Sequence, residues 1–421
     1  MLVALLVSAV VMVVGAVEKA QCTEHERAGT TMATHLCYTD IPVLYAERGL
    51  NLPFDWFGGE SSKVRPIEYP ALIVLYMEAS ARIAQHLDGD TTAQLTARAS
   101  RAGERIPQAP GRAPHESTFF WVNAAGLGVL GTAALWLLAG LVHPGTALRF
   151  LGLGAPMLVA NGFLNWDLLA VFFVVVALVA WRCGRPTLTG VSVGLGTAAK
   201  LYPVLLLAGI AILAWRTRRP REAIASIGTA LVTWVAVNAP FYLLHPEAWK
   251  NFWHFNSERP VSLGSPWYVL SLVGVDLPVH VVNVAYLGWL LLVCAGLVLV
   301  GLRASREPDL AALTLLLVTA FVVANKVNSP QYVLWLLPFV VLTSRRWPLL
   351  VTWCSIEMLY YVVVWQYLVY DDATWLRQVY VGLAVARRLV EAVVALLVLH
   401  DLLRREPRSA HALPNRRSRA A

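Results

Sequence analysis

The sequence predicts an all-α, polytopic membrane protein, a single helical bundle with about twelve transmembrane helices. Three observations predict it. Of 421 residues 57% are hydrophobic and only 14% charged, where soluble domains carry about 25% charged residues. The mean hydropathy is +0.59. The apolar runs are continuous rather than alternating, so the spans are helices, which satisfy every backbone group internally, and not barrel strands. At about 20 residues per crossing plus loops, the length allows roughly ten to thirteen spans.

Residues 1–402 read as one transmembrane domain and 403–421 as a basic cytoplasmic tail. The first span is 2–17, and residues 18–66 form a first extracytoplasmic loop with an acidic excess. Span two is expected over 67–86, followed by a polar segment, 88–117, read as a flexible cytoplasmic loop. Spans follow at 119–142, 147–160 and 168–181. The stretch 188–215 is long for one crossing and carries Pro203 near its middle. As one kinked helix it gives twelve crossings; as two half-helices it changes the parity. The remaining spans are expected at 223–243, 281–302, 310–324, 332–343, 348–367 and 379–402.

Arg216, Arg218, Arg219, Arg221, Arg303, Arg306, Arg345 and Arg346 fall on one face in this alternation. By the positive-inside rule that face is cytoplasmic, and it receives the C-terminus. The net charge of +8 is then membrane-surface charge, and no nucleic-acid partner is expected. Cys22 and Cys37 share the first loop and either pair or stay free. No Cys or His spacing matches a zinc site.

The chemistry-bearing residues gather on the opposite face. Asp40, in Tyr38–Thr39–Asp40–Ile41, is either a helix cap before Pro42 or a general base. A carboxylate held beside an acceptor hydroxyl removes its proton as the oxygen attacks an anomeric carbon. Lys200 is a charge inside an apolar stretch and needs a partner or a task, or else snorkels to an interface. Asp167 reads as a structural acid at a helix end, and Glu357 as an intramembrane acid with no evident role. Arg259 and His254 lie in an aromatic loop, and Lys326 with Gln331 in a short one. With Tyr69 and Arg65, these groups offer rings that stack on sugars and cations that bind phosphate oxygens.

Tyr38–Thr39–Asp40–Ile41, then Arg65 with Glu68–Tyr69–Pro70, then Lys200–Leu201–Tyr202–Pro203, then Lys326 to Gln331 resemble the polyprenol-phosphate-mannose-dependent enzymes of the GT-C superfamily. Within it they resemble glycosyltransferase family 87, the actinobacterial α-mannosyltransferase type. Tyr-Thr-Asp-Ile and Lys-x-Tyr-Pro are also similar to the first mannosyltransferase of GPI-anchor synthesis. The resemblance runs from about residue 35 to 345. It implies a polyprenyl-phosphate sugar donor, inverting transfer to a glycolipid or envelope polysaccharide on the extracytoplasmic face, and a catalytic acid in the first outer loop, which is Asp40. By placement, Arg65, Lys200 and Lys326 are the candidates for the donor phosphate, with Arg259, His254, Tyr69 and Gln331 as further substrate contacts. Position 42 is Pro where some relatives carry Asp-x-Asp, so no metal and no cofactor is expected. The competing reading is a flippase of lipid-linked sugars, which needs polar groups lining a path through both leaflets; here they cluster towards one face.

Overall fold

A computed structural model of the chain describes residues 1–23, 29–53, 67–100, 114–304, 307–370 and 372–404. Among the described residues there are eighteen α-helices, two 3-10 turns and no strand. The first helix, α1 (Leu2–Ala20), leads into α2 (Gly29–His35), α3 (Asp40–Glu47), α4 (Ala71–Leu87) and α5 (Thr92–Ser100). Three antiparallel helices follow: α6 (Pro114–Ala139), α7 (Pro144–Asn161) and α8 (Asp167–Arg182). Then come α9 (Pro186–Ala199), α10 (Leu205–Thr217) and α11 (Pro220–Leu244). The helices α12 (Pro246–Glu258) and α13 (Pro266–Leu272) form a long connection. The chain closes with α14 (Val279–Arg303), α15 (Leu310–Ala324), α16 (Val333–Thr343), α17 (Trp347–Val369) and α18 (Thr374–Leu403). Proline opens α7, α9, α11 and α12, where its missing N–H costs nothing and its fixed φ suits the first turn.

The molecule is an all-helical membrane protein, and five helices are long and apolar enough to cross a bilayer unaided: Leu2–Ala20, His115–Ala139, Pro220–Leu244, Val279–Arg303 and Trp347–Val369. The expected twelve crossings reduce to five on this criterion because several apolar helices are short. At 1.5 Å per residue, the 15 residues of α15 reach about 22 Å, less than a hydrocarbon core of about 30 Å. On α11 and α14 large apolar side chains such as Leu231, Val232, Val284 and Leu292 are exposed, the arrangement a lipid-facing wall requires.

Contacts sort the chain into two ends. At one, Arg182 Nη1 donates to the Leu141 carbonyl (3.0 Å) and its Nη2 pairs with Asp309 (3.3 Å). Arg216 donates to the Gly301 carbonyl (2.8 Å), and Arg346 pairs with Asp401 (2.7 Å). Asp40, Leu164, Lys200, Lys326 and the α12–α13 connection lie at the other. The stretch 188–215 resolves into two helices that reverse direction. Gly190 and Gly194 of α9 lie against Ser226–Thr229 and Ala230–Thr233 of α11, so α9 runs parallel to α11. The helix α10, which leads directly into α11, runs back. The reversal is the Lys200–Val204 turn, so α9 and α10 form a hairpin with its tip beside Asp40's loop.

The expected second span is placed differently. Helix α4 packs antiparallel to α6, with Tyr76 Oη bonded to the Asn123 carbonyl (3.3 Å) and Asp88 to Thr118 (2.6 Å). Helix α6 then descends past Met12 and Leu168 at Gly131. Helix α4 therefore leads away from the bundle, and residues 88–100 lie at the Asp40 end, not at the opposite face. They are ordered by Arg98 forking onto Asp90 (2.5 and 2.7 Å) and by His115 on Asp88 (2.8 Å). The apolar residues of α4 read as a span because one face does pack; Glu78 and Gln85 are buried on it, with Gln85 donating to the Leu50 carbonyl (3.0 Å). Residues 101–113 and 405–421 lie outside the described residues.

Candidate functional site

The site starts with the turn between α2 and α3. Leu36 adopts φ 57°, a left-handed conformation that costs a non-glycine residue roughly 1–2 kcal/mol. Its carbonyl is fixed by Lys19 Nζ (2.9 Å) and Tyr361 Oη (2.7 Å). Cys37 is joined to Cys22 by a disulfide, so the pairing that the sequence left open is made. Thr39 caps α3: its Oγ1 accepts from Ile41 N (3.3 Å) and donates to the Phe163 carbonyl (2.7 Å). Asp40 N donates to the Leu164 carbonyl (2.7 Å). The cap is thus Thr39, and the Asp40 carboxylate is left for another role.

That carboxylate accepts from Tyr38 Oη (2.7 Å), whose ring leans on Trp365 at 4.6 Å. Burial pushes the Asp40 carboxyl above the ordinary carboxylate range; the Tyr38 hydrogen bond and Lys200 pull it back, and Asp167 and Glu68 push it further up. Asp40 is half-buried, so one edge remains reachable. The result is a more basic carboxylate with an oriented oxygen.

The hairpin tip supplies Lys200, whose Nζ lies 3.2 Å from Asp167 Oδ1 and 4.8 Å from the centre of the Tyr69 ring. Trp335 Nε1 also donates to Asp167 Oδ1 (3.2 Å), and the Trp335 ring stacks on Tyr202 (4.5 Å) and Tyr332 (3.8 Å). Asp167 is 1% exposed, and its Oδ2 has no hydrogen-bond partner among the described residues. Tyr69 meets the edge of Trp166 (5.5 Å), which donates to Asn123 (2.7 Å). Burial and the Asp40 charge raise the Tyr69 phenol well above its usual value, so it stays a neutral donor. Beside Tyr69 a narrow cleft opens between Trp234, Asn238, Trp249, Phe252 and Trp253.

The other sequence candidates divide. Lys326 is buried and donates to Asn283 Oδ1 (2.8 Å) and the Ser257 carbonyl (3.1 Å); burial, then the charge of Arg259, lower its pKa. Arg259 packs over Phe255 at 5.4 Å. Gln331 is buried in the turn that leads to Tyr332 and Trp335. His254 faces outward and pairs with Glu258 (3.0 Å), both about two-thirds exposed. Arg65 lies outside the described residues, while its neighbour in the motif, Glu68, is gripped by Arg48 (2.7 and 2.8 Å). Asp40, Tyr69 and Lys200 are therefore brought together; Lys326 and Arg259 form a second basic pair, and His254 stands apart.

Three contributors were not assigned from sequence. Asp167 was expected to bond a helix end, and it pairs with Lys200. Glu357 binds Arg387, which is fully buried and holds the 328–330 backbone. The available signal was two arginines and a glutamate, Arg387, Arg388 and Glu391, inside an otherwise apolar span.

A basic carboxylate, a lysine anchored by an acid, and aromatic walls gather at one end of the helical bundle. No curated protein matches the chain. The family model of glycosyltransferase family 87 matches residues 110–330, over half of the sequence, including Asp167, Lys200 and Lys326. The chain belongs to glycosyltransferase family 87 and is a membrane glycosyltransferase.

Proposed function

We propose that this enzyme moves a hexosyl group, mannosyl by resemblance, from polyprenyl phosphate to a glycolipid or envelope polysaccharide on the extracytoplasmic face. Asp40 is the general base. It takes the proton of the acceptor hydroxyl as that oxygen attacks the anomeric carbon from the side opposite the phosphate, and the configuration inverts. The lipid phosphate leaves as an anion and needs little protonation. Lys200 meets that phosphate, releasing part of its hold on Asp167. Tyr69 flanks the sugar or the phosphate, with Lys326, Arg259, Gln331 and Arg65 as further donor contacts; His254, exposed and paired with Glu258, makes none. The aromatic cleft beside Tyr69 accepts the isoprenoid chain. The basic residues at the opposite end, Arg182, Arg216 and Arg346 among them, support a cytoplasmic assignment for that end.

The observation that carries this reading is the Asp40 carboxylate itself: its backbone N–H held by the Leu164 carbonyl and Thr39 beside it by the Phe163 carbonyl, oriented by Tyr38, raised in basicity by burial, and set among Lys200, Asp167 and Tyr69. The test uses purified protein in nanodiscs, radiolabelled polyprenyl-phosphate mannose and a mixed envelope-lipid acceptor extract. Transfer by the wild type that Asp40→Asn abolishes and EDTA leaves intact is the expected result. Equal transfer by Asp40→Asn removes the base assignment. An inactive wild type that moves lipid-linked sugar across vesicles replaces transfer with flipping.

A further inference from the structure

We infer that Arg387, in the last helix and outside the family-matched segment, is a positioning residue for the donor-binding side of the site. Every nitrogen of its guanidinium is used. Nε binds Glu357 Oε2 (2.6 Å); Nη1 reaches Asn328 Oδ1 (3.1 Å) and the Asn328 carbonyl (3.3 Å). Nη2 reaches the carbonyls of Ser329 (3.4 Å) and Pro330 (3.3 Å). Its plane lies over Tyr360, 4.7 Å from the ring centre. Three consecutive carbonyls of one short loop converge on one side chain that is 0% exposed.

That loop joins the two halves of the candidate site. On its N-terminal side is Lys326, bound to Ser257 and Asn283. On its C-terminal side the chain turns through Tyr332 into Trp335, the indole that donates to Asp167, the partner of Lys200. The loop has no regular secondary structure of its own between α15 and the Pro330–Tyr332 turn, so its carbonyls need a partner, and Arg387 is that partner. A lysine there retains a charge against Glu357 and lacks the fork that serves several carbonyls at once. Glu357 aims the fork and is itself held by Trp353 Nε1 (3.2 Å).

The inference rests on the proposed donor chemistry for its kinetic consequence and on the loop contacts for its structural one, so two readouts are taken on the full-length protein in nanodiscs. The first is amide hydrogen exchange across 325–332 in wild type, Arg387→Lys and Glu357→Gln. Faster exchange there by tenfold or more in Arg387→Lys, with α6–α8 unchanged, is expected; unchanged exchange at 325–332 overturns the inference. The second is steady-state transfer from polyprenyl-phosphate mannose. Arg387→Lys raises the donor KM five- to tenfold and leaves the acceptor KM unchanged, with Glu357→Gln showing the same pattern more weakly. A fall in kcat alone, in proportion to the folded fraction, assigns Arg387 to stability only and overturns the positioning role. If the wild type transfers nothing from any polyprenyl-phosphate sugar, the donor assignment fails, and the exchange result still decides what Arg387 does.

Discussion

Lys200–Asp167 and Arg387–Glu357, two of the buried ion pairs among the described residues, are built to different ends. In the Lys200–Asp167 pair one carboxylate oxygen takes two donors and the other takes none, while Lys200 keeps 16% of its side chain exposed and rests against Tyr69. In the Arg387–Glu357 pair each carboxylate oxygen and each guanidinium nitrogen has a partner, and neither side chain exceeds 2% exposure. A buried polar atom left without a partner costs about 1–3 kcal/mol. The first pair carries such a cost at the place where an anionic substrate would repay it; the second has none to repay. In this comparison the open pair lies where substrate can reach it, and the closed one fixes a loop.

The comparison can be broken in several ways. The largest expected effect is on turnover: Asp40→Asn lowers kcat by at least about a hundredfold, the range of a lost general base, while the thermal midpoint stays level or rises. A drop in midpoint with activity retained would return Asp40 to a structural role. Next is stability at the closed pair. Arg387→Met takes the cation from buried Glu357 and frees the 328–330 carbonyls, and should cost about 3–5 kcal/mol in denaturant titration. Lys200→Met should cost clearly less, because Trp335 still donates to Asp167 and Lys200 itself is partly exposed, and should act mainly through a higher donor KM. The reverse ranking would erase the distinction between the pairs.

Acidity offers a finer test. Because burial raises the Asp40 carboxyl above the ordinary carboxylate range, transfer should fall as pH drops through that raised value, at higher pH than for a solvated aspartate. Folding runs the other way. The ionised form is the one burial disfavours, so the contribution of Asp40 to stability is greatest when it is protonated and declines as pH rises from the unfolded to the folded pKa. Asp40→Asn should remove both dependences in parallel rate and midpoint profiles. The smallest effect belongs to His254→Ala, which removes an exposed partner of Glu258. It should change transfer less than twofold and stability by no more than about 0.5 kcal/mol.

Much of the fold was legible because apolar runs and proline starts are local signals. The runs at 310–324 and 168–181 match α15 and α8 within a residue. Asp40 stood out because an acid after Tyr-Thr and before an apolar run has few uses. Helix α4 misled because amphipathic packing on α6 and burial in lipid ask for similar side chains. The Lys200 turn was visible as a break, but its sense was not: a kink and a reversal share the same residues, and the contact of α9 with α11 separates them. The role of Arg387 is not legible locally because its partners lie at 328–330 and 357, far away in sequence.

The sequence by itself determined that this is a helical membrane protein, because continuous apolar runs leave the backbone no other way to satisfy its hydrogen bonds in lipid. It also determined which end bears the positive charge and which short motifs carry the acid and the lysines. Only the fold decides that Asp40, Tyr69, Lys200 and Asp167 meet, that α9 and α10 turn back on each other, and that α4 runs back along α6 towards the Asp40 end. Those are matters of long-range contact. Close approach at Gly190 and Gly194, the threading of Thr39 onto the Phe163 carbonyl, and one arginine spanning three carbonyls depend on distances that no local pattern of residues encodes.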